Sequence, residues 1–434
     1  MDLSKLPFQK QLAETEWWSP ERLLEHQFQQ IGIVLEHAHR TISHYRTALD
    51  DAGLAPGRRI DMAAWRRLPP LTRREVQRLG TALHSTDTPD SHGEFLTTTT
   101  SGSTGMPVTV LGTELDAYFA KAFQLRLDLW AGLDFTRRKG FIHKLRDGAG
   151  GTDGYVRPTW GDEATNPFPT GPAPQLDVAA PVDRQIAWLE RHRPAYLSVY
   201  PSILDAILQD YDKAGRPAPG VEMVLTLGEV VEPALREACR RIWGVPIFDN
   251  YSAMEIGPMA IQCPAHEHYH VQAEAVLLEV VDENGDPAPP GTIGRVLVTP
   301  LHNFAMPLLR YEIGDYAEAG EPCPCGRGLP VLRRILGRTR NMLVTPDGHR
   351  YWPTFGNRAI PDVAPVVQHQ FVQVGPTTLE ARLVTARPLT GDECTRLTAL
   401  VRSRLPYPFE VELRFVDSIP RGPSHKFEFF RCDL

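Results

Sequence analysis

The sequence predicts an α/β protein, with a large multi-sheet N-terminal domain built on a parallel α/β core and a small, mobile α+β domain at the C-terminal end. Three observations carry this expectation. From about residue 140 to 243, short apolar or β-branched runs alternate with helical segments. Beyond residue 260 the pattern changes to hairpins. From about Arg338 onward, a separate strand–helix–strand pattern begins. At 434 residues and 42% hydrophobic content, the chain is too long for one compact core and has the apolar material for two or three.

In chain order, residues 1 to about 80 carry helical periodicity (Leu23, Phe28, Ile31, Val34, Leu35). This run breaks at Pro69-Pro70 before Thr72-Arg-Arg-Glu75, a capping-box pattern. The stretch from Thr97 to Pro107 is almost all hydroxyls and bare backbone, and Val108 to Leu111 reads as a strand that pins it to a sheet. Helical spacing resumes from 115 to 131. The core alternation consists of strands Gly140 to His143, Tyr196 to Tyr200 and Val221 to Thr226. Between them run helices Asp183 to Arg193, Ser202 to Ala214 and Pro233 to Trp243. Such a sheet binds ligands beyond the carboxyl ends of its strands. Val276 to Asp282, the turn Glu283-Asn-Gly-Asp286 and Gly294 to Thr299 predict a hairpin in a smaller antiparallel sheet. Val366 to Val374, Leu379 to Val384, Asp392 to Leu405 and Glu410 to Val416 make up the last domain.

The balance of 46 basic against 53 acidic residues, net −7, offers no broad positive field and argues against nucleic-acid binding. No basic leader followed by an apolar run opens the chain, and no run of apolar residues is long enough to span a membrane, so a cytoplasmic protein without a membrane partner is expected. Six cysteines do not form a disulfide scaffold at this length; in a reducing compartment, clustered ones suit a metal.

The candidate chemistry begins at Ser101-Gly-Ser-Thr-Gly105, where glycines allow close backbone approach and hydroxyls and N–H groups offer donors to phosphate oxygens. A Ser/Thr/Gly linker has the same composition, but the strand after Pro107 argues against one, and no Walker lysine follows. Asp249-Asn-Tyr-Ser-Ala-Met-Glu255, after the strand Val245 to Phe248, offers a ring for base stacking and a carboxylate for Mg²⁺. Arg310-Tyr-Glu-Ile-Gly-Asp315 offers groups for a ribose diol and phosphate. Taken singly, each has an ordinary structural reading.

In this order the segments resemble the motif ladder of the adenylate-forming superfamily. Besides these three, the ladder takes in Gly228-Glu229, Gly337-Arg338 and Pro420-Arg-Gly-Pro-Ser-His-Lys426. Within the superfamily the chain resembles the phenylacetate–coenzyme A ligase branch, through the loop followed by Val108 instead of lysine, Tyr200-Pro-Ser202 and Pro307 to Tyr311. The resemblance implies an adenylation domain over 1–336 and a lid over 337–434. It implies that Ser101, Gly102, Ser103, Thr104 and Gly105 cradle the ATP phosphates, with Gly228, Glu229 and Ser252 at the nucleotide. Tyr251 would lie near adenine, Glu255 would hold Mg²⁺, and Asp315 and Arg338 would meet the ribose. Lys426 would neutralise the carboxylate and α-phosphate during adenylation. The implied activity is acyl-adenylate formation, from an aromatic acid, followed by transfer to coenzyme A or another thiol.

Two departures stand out: Arg340-Asn341 replaces the acidic pair usual at the hinge, and His425 replaces a glycine beside the lysine. They leave open an amide synthetase with an amine acceptor, and a carrier-protein thiol as acceptor. A catalytically silent nucleotide- or acyl-binding protein is a third reading, against which the joint presence of Glu255, Asp315, Arg338 and Lys426 weighs. The branch is often dimeric, so a homodimer is one expected assembly.

Cys263-Pro-Ala-His-Glu-His-Tyr-His270 and Cys323-Pro-Cys325 carry zinc-ligand residue types in a turn-rich setting. Some members of the branch resemble this Cys-x6-His and Cys-x-Cys pattern, which implies a structural zinc on Cys263, His270, Cys323 and Cys325, with His266 the next candidate. The resemblance also places the acid pocket along Phe141 to Tyr155. His143 and Gly148 would line it, and Tyr200, Pro201 and the Gly228-Glu229-Val230 turn would complete its walls. His143, Lys144 and Arg146 are candidates to contact a polar substituent or the carboxylate, or else are solvated loop charges.

Overall fold

The computed structural model describes residues 6–57, 60–100, 107–145, 153–160, 169–353, 355, 357–422 and 426–434. The chain divides into two units, Met1–Ile335 and Leu336–Leu434.

In the first unit the alternation predicted from residue 140 onward forms five parallel strands. In spatial order these are Ala173–Asp177, Lys139–His143, Tyr196–Val199, Met223–Leu227 and Ile247–Ala253. Helices Val182–His192, Pro201–Ala214 and Pro233–Trp243 bury Ile186, Leu204, Ile207 and Leu235 against Ile142, Leu197, Val199 and Val224 on one face. The other face, carrying Tyr196, Leu225 and Phe248, packs against Leu127, Leu133 and Trp160. This two-sided burial explains why these strands are nearly continuous apolar runs rather than alternating ones.

The hairpin Val276–Val281 with Ile293–Pro300 forms as expected, but not in a separate sheet. Antiparallel strands Gly257–Gln262 and Tyr269–Val271 continue the parallel core outward, so the core and the hairpin belong to one 13-stranded sheet. Local patterning sees the switch from parallel to antiparallel strands, but not that hydrogen bonding runs across it.

Two motif placements also differ from expectation. Thr97 to Thr99 are not loop residues: they lie in the strand Phe95–Thr99, paired with Thr109–Thr113. Asp249 to Ala253 lie within the strand Ile247–Ala253, not after it.

Helices Pro20–Thr41 and Ser43–Ala52 bury Ile31, Val34, Leu35 and Leu49 in the core beneath Val296, Val298, Leu308 and Tyr311. Arg310 ties this helical layer to the sheet. It is 2% exposed, its backbone is left-handed at φ 48°, and its guanidinium bonds both Glu279 carboxylate oxygens and the carbonyls of Arg66 and Leu68. This replaces the reading of Arg310 as a ribose or phosphate ligand, because its donors are spent inside the core.

Among its described residues the second unit carries a four-stranded sheet and a two-stranded one, Leu343–Val344 with Arg350–Tyr351. Val366–Gly375 pairs antiparallel with Thr378–Thr385, and Glu410–Phe415 and Phe430–Cys432 flank the pair. Helix Gly391–Arg402 starts with a Thr390–Glu393 capping box and buries Leu397 and Val401 with Phe371, Leu379 and Phe409. No described helix is long and apolar enough to cross a membrane.

Candidate active site

Ser101, Gly102, Ser103, Thr104 and Gly105 lie outside the described residues, but both ends of their loop are placed. Thr100 N donates to Val108 O at 2.8 Å, and Val108 N donates to Thr100 Oγ1 at 2.9 Å. Residues 101–106 therefore connect the two strands of a hairpin whose neck is clasped by Thr100.

A residue that sequence reasoning missed stands beside that neck. Arg73 is the first residue of the helix Arg73–Leu79, fixed by the Thr72–Glu75 capping box and by pairing of Leu71 and Thr72 with Tyr311 and Glu312. Its Nη2 donates to Thr100 Oγ1 at 2.8 Å, and its Nη1 lies 3.2 Å from Glu255 Oε1. One guanidinium thus joins the root of the hydroxyl loop to the carboxylate expected to hold Mg²⁺. Glu255 is 7% exposed, so this ion pair is well shielded from solvent. The Nε of Arg73 is buried with no hydrogen-bond partner among the described residues.

Tyr251 and Asp315 meet across the sheet, the phenol donating to Asp315 Oδ2 at 2.8 Å. Asp315 sits where the pairing of Ile293–Pro300 with Tyr311–Ala319 slips in register, beside Gly314 at φ 87°. A left-handed glycine at a bulge re-aims the next side chain, which here is this carboxylate. Ser252 pairs with Pro258, one residue beyond Tyr251. Behind them, Asp249 accepts from Thr226 Oγ1 and Tyr269 Oη, both at 2.6 Å, and burial raises its carboxyl to a pKa of about 6.

Gly228 is left-handed, at φ 77°, at the end of the strand Met223–Leu227. Glu229 caps a helix: its carboxylate accepts from Ser202 N at 2.8 Å and Ser202 Oγ at 3.0 Å, at the start of Pro201–Ala214. That contact ties the first turn of this helix to the residue after Gly228. His143 ends its strand with Nε2 3.1 Å from Ser198 Oγ and its ring 5.8 Å from that of Tyr200. Gly148 lies outside the described residues.

The cysteine–histidine cluster assembles from two segments. The ligand atoms of Cys263, His268, His270 and Cys323 all lie within 4.8 Å of one another. His268 Nε2 is 3.0 Å from Cys323 Sγ, and Cys325 Sγ is 3.4 Å from His270 Nε2. Three of the four expected ligands are thus in the compact group, His268 joins them, and Cys325 stands alongside. The next candidate, His266, stacks on His268 instead of entering the group. Burial raises the Cys263 and Cys323 thiols above their usual range.

In the second unit, Arg338 N donates to Asn341 Oδ1 at 3.2 Å, Arg340 pairs with Glu428, and Asn341 Nδ2 donates to Phe430 O at 2.8 Å. The two residues that replace the usual acidic pair therefore hold the segment that follows Lys426.

The chain is similar to known proteins over parts of its length. A family model described as AMP-binding enzyme matches residues 167–305. A phenylacetate-coenzyme A ligase from Thermus thermophilus is 33% identical over 196 residues, a stretch covering 43% of this chain and 44% of that relative. A phenylacetate-coenzyme A ligase from Aromatoleum evansii is 24% identical over 81% of this chain and 78% of its own length. Over these stretches the chain is similar to AMP-binding enzymes and to phenylacetate-coenzyme A ligases. Adenylate-forming ligases also share its fold. A 2-hydroxyisobutyryl-CoA ligase in complex with 2-HIB-AMP has a TM-score of 0.75 at 18% identity, covering 94% of this chain and 89% of that one. An anthranilate CoA ligase in complex with anthranoyl-AMP has a TM-score of 0.56 at 18% identity, covering 76% and 65%.

Proposed function

We propose that this protein is an adenylate-forming, ATP-dependent acid–thiol ligase. A carboxylate oxygen of the acid attacks the α-phosphorus of ATP, pyrophosphate leaves, and the thiol of coenzyme A then takes the acyl group from the adenylate and releases AMP. The observation that carries the reading is the chain of contacts from Thr100 through Arg73 to Glu255, next to the Tyr251–Asp315 bond. The first of these supports the reading by joining a hydroxyl, a guanidinium and a carboxylate beside the root of the 101–106 loop, and the second adds a paired phenol and carboxylate.

Ser101 to Gly105 bind the phosphates, Tyr251, Ser252 and the Gly228-Glu229 turn border the adenine, and Asp315 and Arg338 take the ribose hydroxyls. The unpartnered Nε of Arg73 fits an anion brought by the nucleotide. Glu255 is the residue that would hold Mg²⁺, which when bound neutralises the triphosphate charge. Lys426 supplies the cation needed where carboxylate and α-phosphate oxygens approach each other. His143, Gly148, Tyr200 and Pro201 line the acid pocket. Cys263, His270 and Cys323, with His268 or Cys325 as the fourth ligand, would hold a structural Zn²⁺; the thiol-rich donor set and burial suit that metal, and four protein ligands leave no position for chemistry.

The test is acid-dependent ATP–pyrophosphate exchange over a panel of aromatic and aliphatic acids. We expect exchange with at least one aromatic acid, and a loss on the order of a hundredfold in Lys426→Ala, since that variant leaves like charges unneutralised in the transition state. Exchange with no acid would favour a silent nucleotide-binding protein. The departure at Arg340-Asn341 keeps an amine acceptor as a second reading, and supplying coenzyme A, a carrier-protein thiol or amines to the preformed adenylate separates them.

A further inference from the structure

The acid pocket contains a polar pair that an apolar slot would not need. Phe141 pairs with Ser198 across two parallel strands, and just beyond that register His143 Nε2 meets Ser198 Oγ at 3.1 Å. The imidazole lies between two rings, 5.8 Å from Tyr200 at an interplanar angle of 30° and 5.6 Å from Phe141 edge-on. Ser198 is buried, while His143 is only partly covered, and no described residue bonds its second ring nitrogen. That second nitrogen is not among the fully buried, unpartnered side-chain atoms, so it is open to a hydrogen bond from a ligand.

The ring is also uncharged. Burial, and then the Lys139 ammonium, lower its pKa to about 4. Lys139 is itself paired with Asp128 at 2.6 Å. A serine hydroxyl rotates freely between donating and accepting. When Ser198 donates to Nε2, the free Nδ1 carries a proton and donates; when Ser198 accepts from Nε2, Nδ1 accepts. A hydroxyl group, itself both donor and acceptor, satisfies either arrangement. The flanking rings favour a flat scaffold for that hydroxyl.

We propose that His143, oriented by Ser198, is a specificity-determining residue that selects aromatic carboxylic acids bearing a ring hydroxyl over the same acids without one. The proposal rests on the acid-ligase reading above and narrows it to a substrate class.

The test measures kcat/KM in pyrophosphate exchange for benzoate and phenylacetate against their ring-hydroxylated and ring-aminated counterparts. Calorimetric binding of the same acids to the full chain runs alongside. The preferred hydroxylated acid should exceed its parent by roughly tenfold to a hundredfold, the range for one satisfied buried hydrogen bond. That ratio should collapse in His143→Phe and Ser198→Ala and be partly retained in His143→Gln. A ratio unchanged in the variants, an equal loss on both acids of a pair, or no hydroxyl preference in the wild type overturns the proposal. An equal loss would mean that His143 meets the carboxylate common to every acid. If exchange is absent but calorimetry shows the hydroxyl preference and its loss in the variants, the polar reader stands and the ligase reading falls. If neither is seen, both fall.

Discussion

A guanidinium at the first position of a helix opposes the helix dipole, which favours acids there. Arg73 is therefore held by partners outside its own helix, Glu255 and Thr100. That unfavourable arginine is the signal in Thr72-Arg-Arg-Glu75, and the capping-box pattern alone does not use it. Truncating one partner of a shielded pair costs more than the pair is worth, because the other charge stays buried. Arg73→Met should lower the unfolding free energy by roughly 2–3 kcal/mol. Adding Glu255→Gln to that variant should restore part of the loss, as read by denaturant titration of the four proteins in a double-mutant cycle. Additive losses would show that the two side chains do not depend on each other. Other residues were legible singly and not as partners: Tyr251 and Asp315 each stand out as residue types. Their hydrogen bond joins two strands of one sheet that three other strands separate, a placement no local pattern records.

At the level of elements, the Cys–His cluster shows what spacing can and cannot decide. His266, His268 and His270 alternate, so in an extended segment they share a face. Yet only His268 and His270 reach the group, because Cys263 N bonds His268 O at 2.8 Å and leaves 264–267 in the intervening turn. The sequence could place a histidine there without saying which. Zinc analysis of the purified chain should find about one equivalent, as a tetrahedral structural site requires. Cys263→Ser and Cys323→Ser should lose it, and His266→Ala should retain it. Comparing His268→Ala with Cys325→Ser then identifies the fourth ligand. Chelation should lower the melting temperature of the first unit, since metal affinity is coupled to folding. A metal-free protein with unchanged melting after zinc addition would rule the site out. The Phe95–Thr99 and Thr109–Thr113 hairpin was half legible: its second strand read clearly. Its first strand was hidden by threonine, which suits both strand and loop.

At the scale of the whole molecule, the alternation between residues 140 and 243 exposed the parallel core because each strand is buried on both faces. The continuity of that core with the antiparallel strands was not visible, since hydrogen bonding between strand neighbours leaves no periodic trace. Buried titrating groups are similarly invisible in composition, yet they set the acid tolerance of the chain. In the second unit His369 is 5% exposed, with Phe371 and Phe429 rings each 5.7 Å away, and burial lowers its pKa to about 4. The unfolded state, titrating near the ordinary histidine value of about 6.5, then binds more protons than the native state between these two values. Stability from this group is complete above the higher value and is lost as pH falls through the window. At pH 5 the loss from His369 alone is about 2 kcal/mol. Asp249 works in the opposite sense in the first unit: its raised pKa adds stability as pH falls below about 6. His143, whose pKa burial also lowers to about 4, costs the first unit stability over the same window, so acid weakens both units. His369→Phe keeps a ring among rings and removes the titration, so it should flatten the pH dependence of the second unit's unfolding transition and leave that of the first unit unchanged. A variant transition that falls as steeply as the wild type would place the acid-sensitive group elsewhere.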